Sequence, residues 1–248
     1  MKGGICMSPA RRLILVRHGE SQWNQEGRFT GWADVDLTDV GVAQMREAAA
    51  ALASAGITFD VAFTSVLRRC IRSQWILQKA MDCMWVPIIP DWRLNERHYG
   101  DLTGRLKEEA IRLHGQDMVQ RWRRAYDTAP PPLLASPDSP VLIDRRYRAL
   151  HPEQIPSGES LHQTVERVDG VWHEVITPAL RSGQQVLVMA HGNSLRALIK
   201  LIEGLSGEDC QALEVPNAAP LIYELDEALA VRGRTQLTVV PRQSSTIL

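Results

Sequence analysis

Two histidines occupy matching settings in this chain. The apolar residues 13–16, "LILV", run into Arg17, His18 and Gly19, and "VLVMA" (186–190) runs into His191, Gly192 and Asn193. Each reads as an apolar strand that ends on a histidine and then bends at a glycine. Neutral imidazole can act as a nucleophile or move protons near pH 7, and an adjacent arginine can bind two oxygens of an anion through its planar fork. A zinc site is the rival chemistry. It lacks a third clustered His, Cys or carboxylate at ligand spacing, and Arg17 beside His18 would repel a cation. The residue types therefore favour histidine and arginine chemistry on an anionic substrate.

Strands and helices must hold those histidines. Short unbroken apolar runs predict buried strands at 13–16, 59–65 ("FDVAFTS"), 185–190 and 220–226, and "WVPIIP" (85–90) reads as an edge strand because of its prolines. Between them lie helical patterns. One starts at an N-cap, Thr38, stops at Gly56, and puts Val42, Met45, Ala49 and Leu52 on one face. A second spans 66–81, with Leu67, Ile71, Trp75 and Leu77 or Gln78 near one side. Residues 106–126 read as short helices, 159–181 as a helix with a Ser160/Gln163 capping box, and 194–204 as another. Such alternation predicts an α/β fold, a three-layer α/β/α sandwich whose mostly parallel central sheet carries helices on both faces. Ligands bind such sheets beyond the carboxyl ends of the strands, so both histidines should meet at one sheet edge.

The organisation along the chain follows. Residues 1–12 read as a disordered leader with Met7 as an alternative start, 13–234 as a single catalytic domain, and 235–248 as a mobile tail without pattern. Residues 128–157 form a long irregular insertion crowded with Pro130, Pro131, Pro132, Pro137, Pro140, Pro152 and Pro156.

Composition narrows the functional class. The net charge is −1, so no global field draws in nucleic acid or membrane, and an anionic substrate needs a local cluster of cations. Cys6, Cys70, Cys83 and Cys210 have no paired spacing, which argues against a disulfide framework or zinc site. Cys70 and Cys83 fall in apolar helical pattern and read as buried thiols. No apolar run approaches the roughly 20 residues needed to span a bilayer. A cytoplasmic location is expected.

The blocks "LVRHGESQWN", "RFTGW", "TSVLRR", "LNERHYG", "WRR" and "AHGNSLRAL" resemble the motifs of the histidine phosphatase superfamily and, more closely, of its cofactor-dependent phosphoglycerate mutases. The likeness runs from Leu13 to Asp226. It implies a phosphoglycerate mutase-like fold in which His18 carries phosphate as phosphohistidine. It also implies that Arg17, Arg69 and His191 cage the phosphoryl group, with His191 most useful when protonated. Ser21, Asn24, Gly192 and Asn193 would donate to phosphate. Glu96 would be the acid–base group, its pKa raised by burial or nearby phosphate. Thr30, Gly31, Arg97, Tyr99, Lys107, Arg123 and Arg124 would bind substrate. Leu106 directly before Lys107 departs from the family's Leu-Asn-Lys pattern.

The activity so implied is interconversion of 3-phosphoglycerate and 2-phosphoglycerate in glycolysis and gluconeogenesis, primed by 2,3-bisphosphoglycerate and without a metal. Small phosphoglycerates would be the partners of a homo-oligomer, a dimer or tetramer, with the edge strand near Val86 as a contact. The 128–157 insertion would cover the site and exclude water. Two rivals share the fold: a broad phosphomonoesterase with water as acceptor, and a non-catalytic sugar-phosphate sensor. The sensor would need a broken core, yet Arg17, His18, Arg69, Glu96 and His191 are all present.

Overall fold

The computed structural model describes residues 11–134 and 143–239. In chain order it contains β1 (Arg11–Arg17), α1 (Gln22–Gln25), α2 (Asp39–Ser54), β2 (Val61–Thr64), α3 (Arg68–Ala80) and β3 (Ile88–Pro90). These are followed by α4 (Lys107–His114), α5 (Gln116–Arg124) and α6 (Leu161–Val171), which a single π-helical stretch (Trp172–Ile176) joins to α7 (Thr177–Arg181). The chain then forms β4 (Val186–Ala190), α8 (Gly192–Glu203), α9 (Gly207–Ala212), β5 (Leu221–Leu225) and β6 (Val231–Gln236).

One sheet organises these elements, in the order β3-β2-β4-β1-β5-β6. The four strands from β3 to β1 are parallel, and β5 and β6 continue the sheet antiparallel. The unbroken apolar runs of β1, β2 and β4 have the composition that burial on both faces demands. Alternation along β1 sends Leu13 and Leu15 to one core, which includes residues of α6 and α8. It sends Ile14 and Val16 to the opposite core, with Met45 and Leu52 of α2 and Cys70 and Leu77 of α3. The expected three-layer α/β/α sandwich is therefore observed. A smaller cluster of Phe29, Leu102, Ala110, Val119 and Trp122 packs α4 and α5 onto the body.

Several boundaries move. Arg11 and Arg12, assigned to the leader, belong to β1, where they pair with Leu225 and Glu224. The tail loses Thr235 and Gln236 to β6, which pairs with β5 apart from an irregularity at Arg232. β6 reads "VRGRTQ" and is largely exposed, so backbone pairing rather than apolar patterning defines it. The strand at 220–226 is thus not the last, and it is antiparallel. The rest of the leader, Met7 included, and residues 240–248 of the tail lie outside the described residues, while Leu237 N donates to Pro220 O (2.9 Å).

The face assigned to the 66–81 helix is also corrected. α3 buries Arg69, Cys70, Ser73, Gln74, Leu77 and Gln78, and Trp75 is 59% exposed. Hydrogen bonds compensate the burial of Ser73 and Gln78 on its polar inner face, whereas both side-chain polar atoms of Gln74 are buried without a partner. Ser73 Oγ accepts from Gly19 N (3.2 Å) and Gln78 Nε2 donates to the Val86 carbonyl (2.8 Å). Cys83 lies beyond α3 and is only partly buried. β3 stands at the sheet edge as expected, although Val86 itself is buried.

The insertion is anchored rather than loose where it is described. Pro131 O accepts from Asp101 N (2.9 Å), and Leu133 N donates to Ser157 O (2.7 Å). Tyr147 stacks on Trp32 with ring centroids 5.1 Å apart, and its hydroxyl accepts from Asn95 Nδ2 (2.9 Å). Pro137 and Pro140 lie outside the described residues.

Candidate active site

Adjacent parallel strands bring the two histidines together. β1 pairs with β4 so that Arg17 faces Ala190, and His18 N donates to the Ala190 carbonyl (3.1 Å). The His18 and His191 rings meet edge to face with centroids 4.9 Å apart. Both lie beyond the carboxyl ends of their strands, as the sheet rule demands. Gly19 is needed there for packing: a Cβ would lie 2.3 Å from the Gly41 carbonyl oxygen on α2.

Hydrogen bonds assign a proton to each ring. His18 Nδ1 lies 2.6 Å from the Gly19 carbonyl, which can only accept, so Nδ1 carries the proton and Nε2 keeps its lone pair. Burial, then Arg69 and Arg17, hold the His18 pKa well below its ordinary value, so the ring is neutral. The His191 assignment is the reverse. Arg69 Nε donates to His191 Nδ1 (3.2 Å), and His191 Nε2 therefore donates to Ser65 Oγ (2.8 Å). Burial, then Arg69 and His18, hold the His191 pKa well below ordinary too. The expectation of a protonated His191 is thereby corrected, because two nearby cationic or imidazole groups and complete desolvation oppose a second charge. The adjacent Cys70 thiol, 3.3 Å from His191 Nε2, is pushed up to about 12 by burial and stays protonated.

A cavity of about 170 Å³ opens onto His18. Of the predicted residues, Arg17, His18, Asn24, Thr30, Gly31, Arg69, Glu96, Tyr99, Lys107, Arg123, Arg124, Gly192 and Asn193 line it. Their positions follow from local structure. Arg69 sits in the first turn of α3 with its guanidinium fixed on the Gly31 and Ala33 carbonyls (both 2.8 Å). Arg17 Nη1 donates to Val215 O (2.8 Å). Gly192 and Asn193 open α8, where backbone N–H groups and the helix dipole favour an anion. Glu96 is 9% exposed, and its Oε1 accepts from Arg97 N (2.8 Å) and Asn193 N (3.1 Å). Lys107 begins α4, its pKa lowered by burial and by Arg123.

Three predicted residues stand off the cavity wall. His191 is fully buried behind it. Ser21 is the N-cap of α1: its Oγ accepts from Asn24 N (3.3 Å) while Asn24 Oδ1 accepts from Ser21 N (3.2 Å). Its hydroxyl oxygen caps the helix, and its backbone N–H holds the Asn24 side chain. Arg97 is fully buried, with Nη2 on Tyr99 Oη (3.3 Å) and the Arg123 carbonyl (3.0 Å). It supports two cavity residues from behind. Among the described residues of 128–157, which are anchored on Asp101, Trp32 and Asn95, none lines the cavity.

Sequence reasoning missed Arg28, Phe29, Arg196 and Glu214, which also line the cavity. Arg28 and Arg196 lie within recognised blocks. Arg196 stands three residues after Asn193 on α8, and its Nη1 donates to Asn193 Oδ1 (3.0 Å), so helical spacing could have found it. Glu214 sits in the loop after α9 and carried no local signal. Among the described residues, no group of three His, Cys, Asp or Glu could hold a metal ion, and no helix is long and apolar enough to cross a membrane.

A buried neutral histidine with a free Nε2, arginine forks and a helix N-terminus around it define a phosphoryl-transfer site. The histidine phosphatase superfamily (branch 1) matches residues 13–232, and the chain belongs to that superfamily. Solved structures share the fold. A mycobacterial glucosyl-3-phosphoglycerate phosphatase complexed with VO3 has a TM-score of 0.68 at 23% identity, covering 94% of this chain and 99% of that one. Bacillus stearothermophilus YhfR has a TM-score of 0.68 at 22% identity, covering 95% and 98%. The α-ribazole phosphatase of Shigella flexneri has a TM-score of 0.65 at 21% identity, covering 93% and 96%.

Proposed function

We propose that this protein is a 2,3-bisphosphoglycerate-dependent phosphoglycerate mutase. The observation that carries the reading is the charge inside one small cavity. Arg17 and Arg69 stand near His18, and Arg28, Lys107, Arg123, Arg124 and Arg196 line the same space, with Glu96 and Glu214 as its carboxylates. A monophosphate with one anionic end would engage only the cations near His18, leaving Arg28 and Arg124 with the exposed carboxylates of Glu26 and Glu214 as their ion-pair partners. A three-carbon acid bearing a carboxylate and one or two phosphates matches them. The volume also lies below the ~300–1,000 Å³ of drug-sized pockets, which favours a compact substrate.

The proposed steps are these. Phosphorylated His18 meets 3-phosphoglycerate. The substrate's 2-hydroxyl attacks phosphorus as Glu96 takes its proton; the P–O bond forms and the P–N bond breaks. The product is 2,3-bisphosphoglycerate and neutral His18, whose Nδ1 keeps its proton and goes on donating it to the Gly19 carbonyl. The intermediate turns in the site. His18 Nε2 attacks the 3-phosphate, Glu96 returns the proton to the leaving oxygen, and 2-phosphoglycerate departs. Arg17, Arg69 and the Gly192 amide stabilise the charge on the phosphoryl oxygens, while the Asn193 N–H stays on Glu96 Oε1. His191 acts through Arg69, whose Nε it receives. The mechanism calls for no metal, and 2,3-bisphosphoglycerate supplies the first phosphoryl group.

Water as acceptor would make the same site a phosphomonoesterase. One observation favours that second reading: the described part of the 128–157 segment supplies no wall to the cavity. A single assay separates the two. Conversion of 3-phosphoglycerate to 2-phosphoglycerate is followed in EDTA, with and without trace 2,3-bisphosphoglycerate, while free phosphate is recorded. Cofactor-stimulated isomerisation with little free phosphate is expected. Free phosphate without isomerisation would replace the mutase with the hydrolase.

A further inference from the structure

We infer that Glu214 is an internal counter-ion that holds the place of a substrate's second anionic group and so sets the affinity of the site for two-ended anions. The inference rests on the two-ended substrate class proposed above.

The two carboxylates of the cavity are held differently. Glu96 is buried and pinned by two backbone N–H groups. The Glu214 side chain is 71% exposed and is held by cations alone: its Oε1 lies 2.8 Å from Arg124 Nη2 and its Oε2 4.0 Å from Arg196 Nη2. It therefore engages two of the cations that a second anionic group would need. The backbone on either side is fixed. Arg196 Nε donates to Leu213 O (2.8 Å), Arg17 Nη1 to Val215 O (2.8 Å), and Asn217 Nδ2 to the His18 carbonyl (2.7 Å). The loop thus delivers the Glu214 side chain to the arginines while leaving it free to swing toward solvent.

An incoming carboxylate or phosphate must displace Glu214 from Arg124 or accept its repulsion. Exposed ion pairs of this kind are weak, so displacement is easy and the effect on affinity is a few-fold. An anion with a single phosphate bound at His18 does not compete with Glu214 directly. Glu214 therefore lowers the preference of the site for two-ended over one-ended anions. In a reaction whose intermediate must exchange its ends, a weaker hold on the second end eases that exchange.

The test is calorimetric titration of the full-length protein, dephosphorylated and free of 2,3-bisphosphoglycerate, so that bound 3-phosphoglycerate has no phosphoryl donor. The probes are 3-phosphoglycerate and inorganic phosphate, applied to the wild type, Glu214→Gln, Arg124→Gln and the double variant. Glu214→Gln is expected to bind 3-phosphoglycerate roughly two- to fivefold more tightly and phosphate unchanged, and to have no effect once Arg124 is Gln. If Glu214→Gln changes neither probe, or tightens both equally, the counter-ion role is wrong and the functional reading stands. If the wild type binds 3-phosphoglycerate no better than phosphate, the two-ended reading itself fails. Circular dichroism of each variant checks the fold, and the exposed position of Glu214 makes its substitution structurally mild.

Discussion

The group around His18 and the group around Arg124 share one cavity and are built in opposite ways. His18, Arg69 and Glu96 are 3%, 1% and 9% exposed, and each is fixed by backbone partners at the ends of strands or the starts of helices. Arg124 lies at the end of α5, with a side chain 32% exposed and an exposed carboxylate as its ion-pair partner. Chemistry needs charges held where they act before the substrate arrives, and burial makes each interaction strong. Recognition of a small anion that must enter, turn and leave tolerates looser, solvated charges. On the proposed function, the first group would set rate and the second affinity.

Substitutions can break that division. His18→Ala should have the largest effect, a loss on the order of 10⁴-fold or more in turnover together with loss of acid-labile protein-bound phosphate. Residual activity within tenfold of wild type would remove the reaction from His18. Glu96→Gln should lower kcat by about 10²–10⁴-fold with little change in KM. An equal rise in KM would move Glu96 into the recognition group.

Arg124→Gln should do the opposite. Loss of one charge-assisted contact should raise KM for 3-phosphoglycerate about 10- to 100-fold and leave kcat nearly intact. Hydrolysis of p-nitrophenyl phosphate, which has one anionic end, should change little. A matching fall in kcat would show that the two groups act as one. Glu214→Gln, with its few-fold tightening, sharpens the same comparison.

Stability against pH offers a further contrast, because burial of neutral imidazoles is confined to the fixed part of the molecule. Burial lowers the His98 pKa to about 4 and holds His18 and His191 well below their ordinary value. The unfolded chain therefore binds more protons than the fold once pH drops below about 6.5. Stability from these groups is complete above that pH and declines as pH falls toward the folded values, by about 1.4 kcal/mol per unit for each histidine. Urea midpoints of the unliganded protein at about pH 7, 6 and 5 should fall steadily, and His98→Gln should flatten part of the slope. A level profile would mean that these rings are solvated or already charged.

Much of this arrangement was legible in the chain. The strands 13–16 and 185–190 are short apolar runs, and the Ser160/Gln163 box and Thr38 cap are local patterns whose hydrogen bonds are present in the fold. Motif blocks located twelve cavity-lining residues, from Arg17 to Asn193, and the wider resemblance added Lys107. The inner face of α3 is legible at Leu67, Leu77 and Gln78 but not at Ser73 and Gln74, which are polar yet buried, because polarity ordinarily marks the outside. β6 escaped notice because an exposed strand formed by pairing with β5 has no apolar period. The prolines of the insertion mark its irregularity without recording where the segment rests, and its described part rests on Asp101, Trp32 and Asn95.

By itself the sequence determined the α/β architecture, the two histidine–glycine turns and the arginines that an anion would meet, because short-range pattern and residue chemistry carry that information. Only the tertiary structure decided which imidazole nitrogen bears each proton, that Ser21 and Arg97 support the cavity instead of lining it, and that Glu214 faces Arg124. Those properties depend on burial and on distances between groups far apart in the chain, and such quantities exist only once the sheet has brought its strands together.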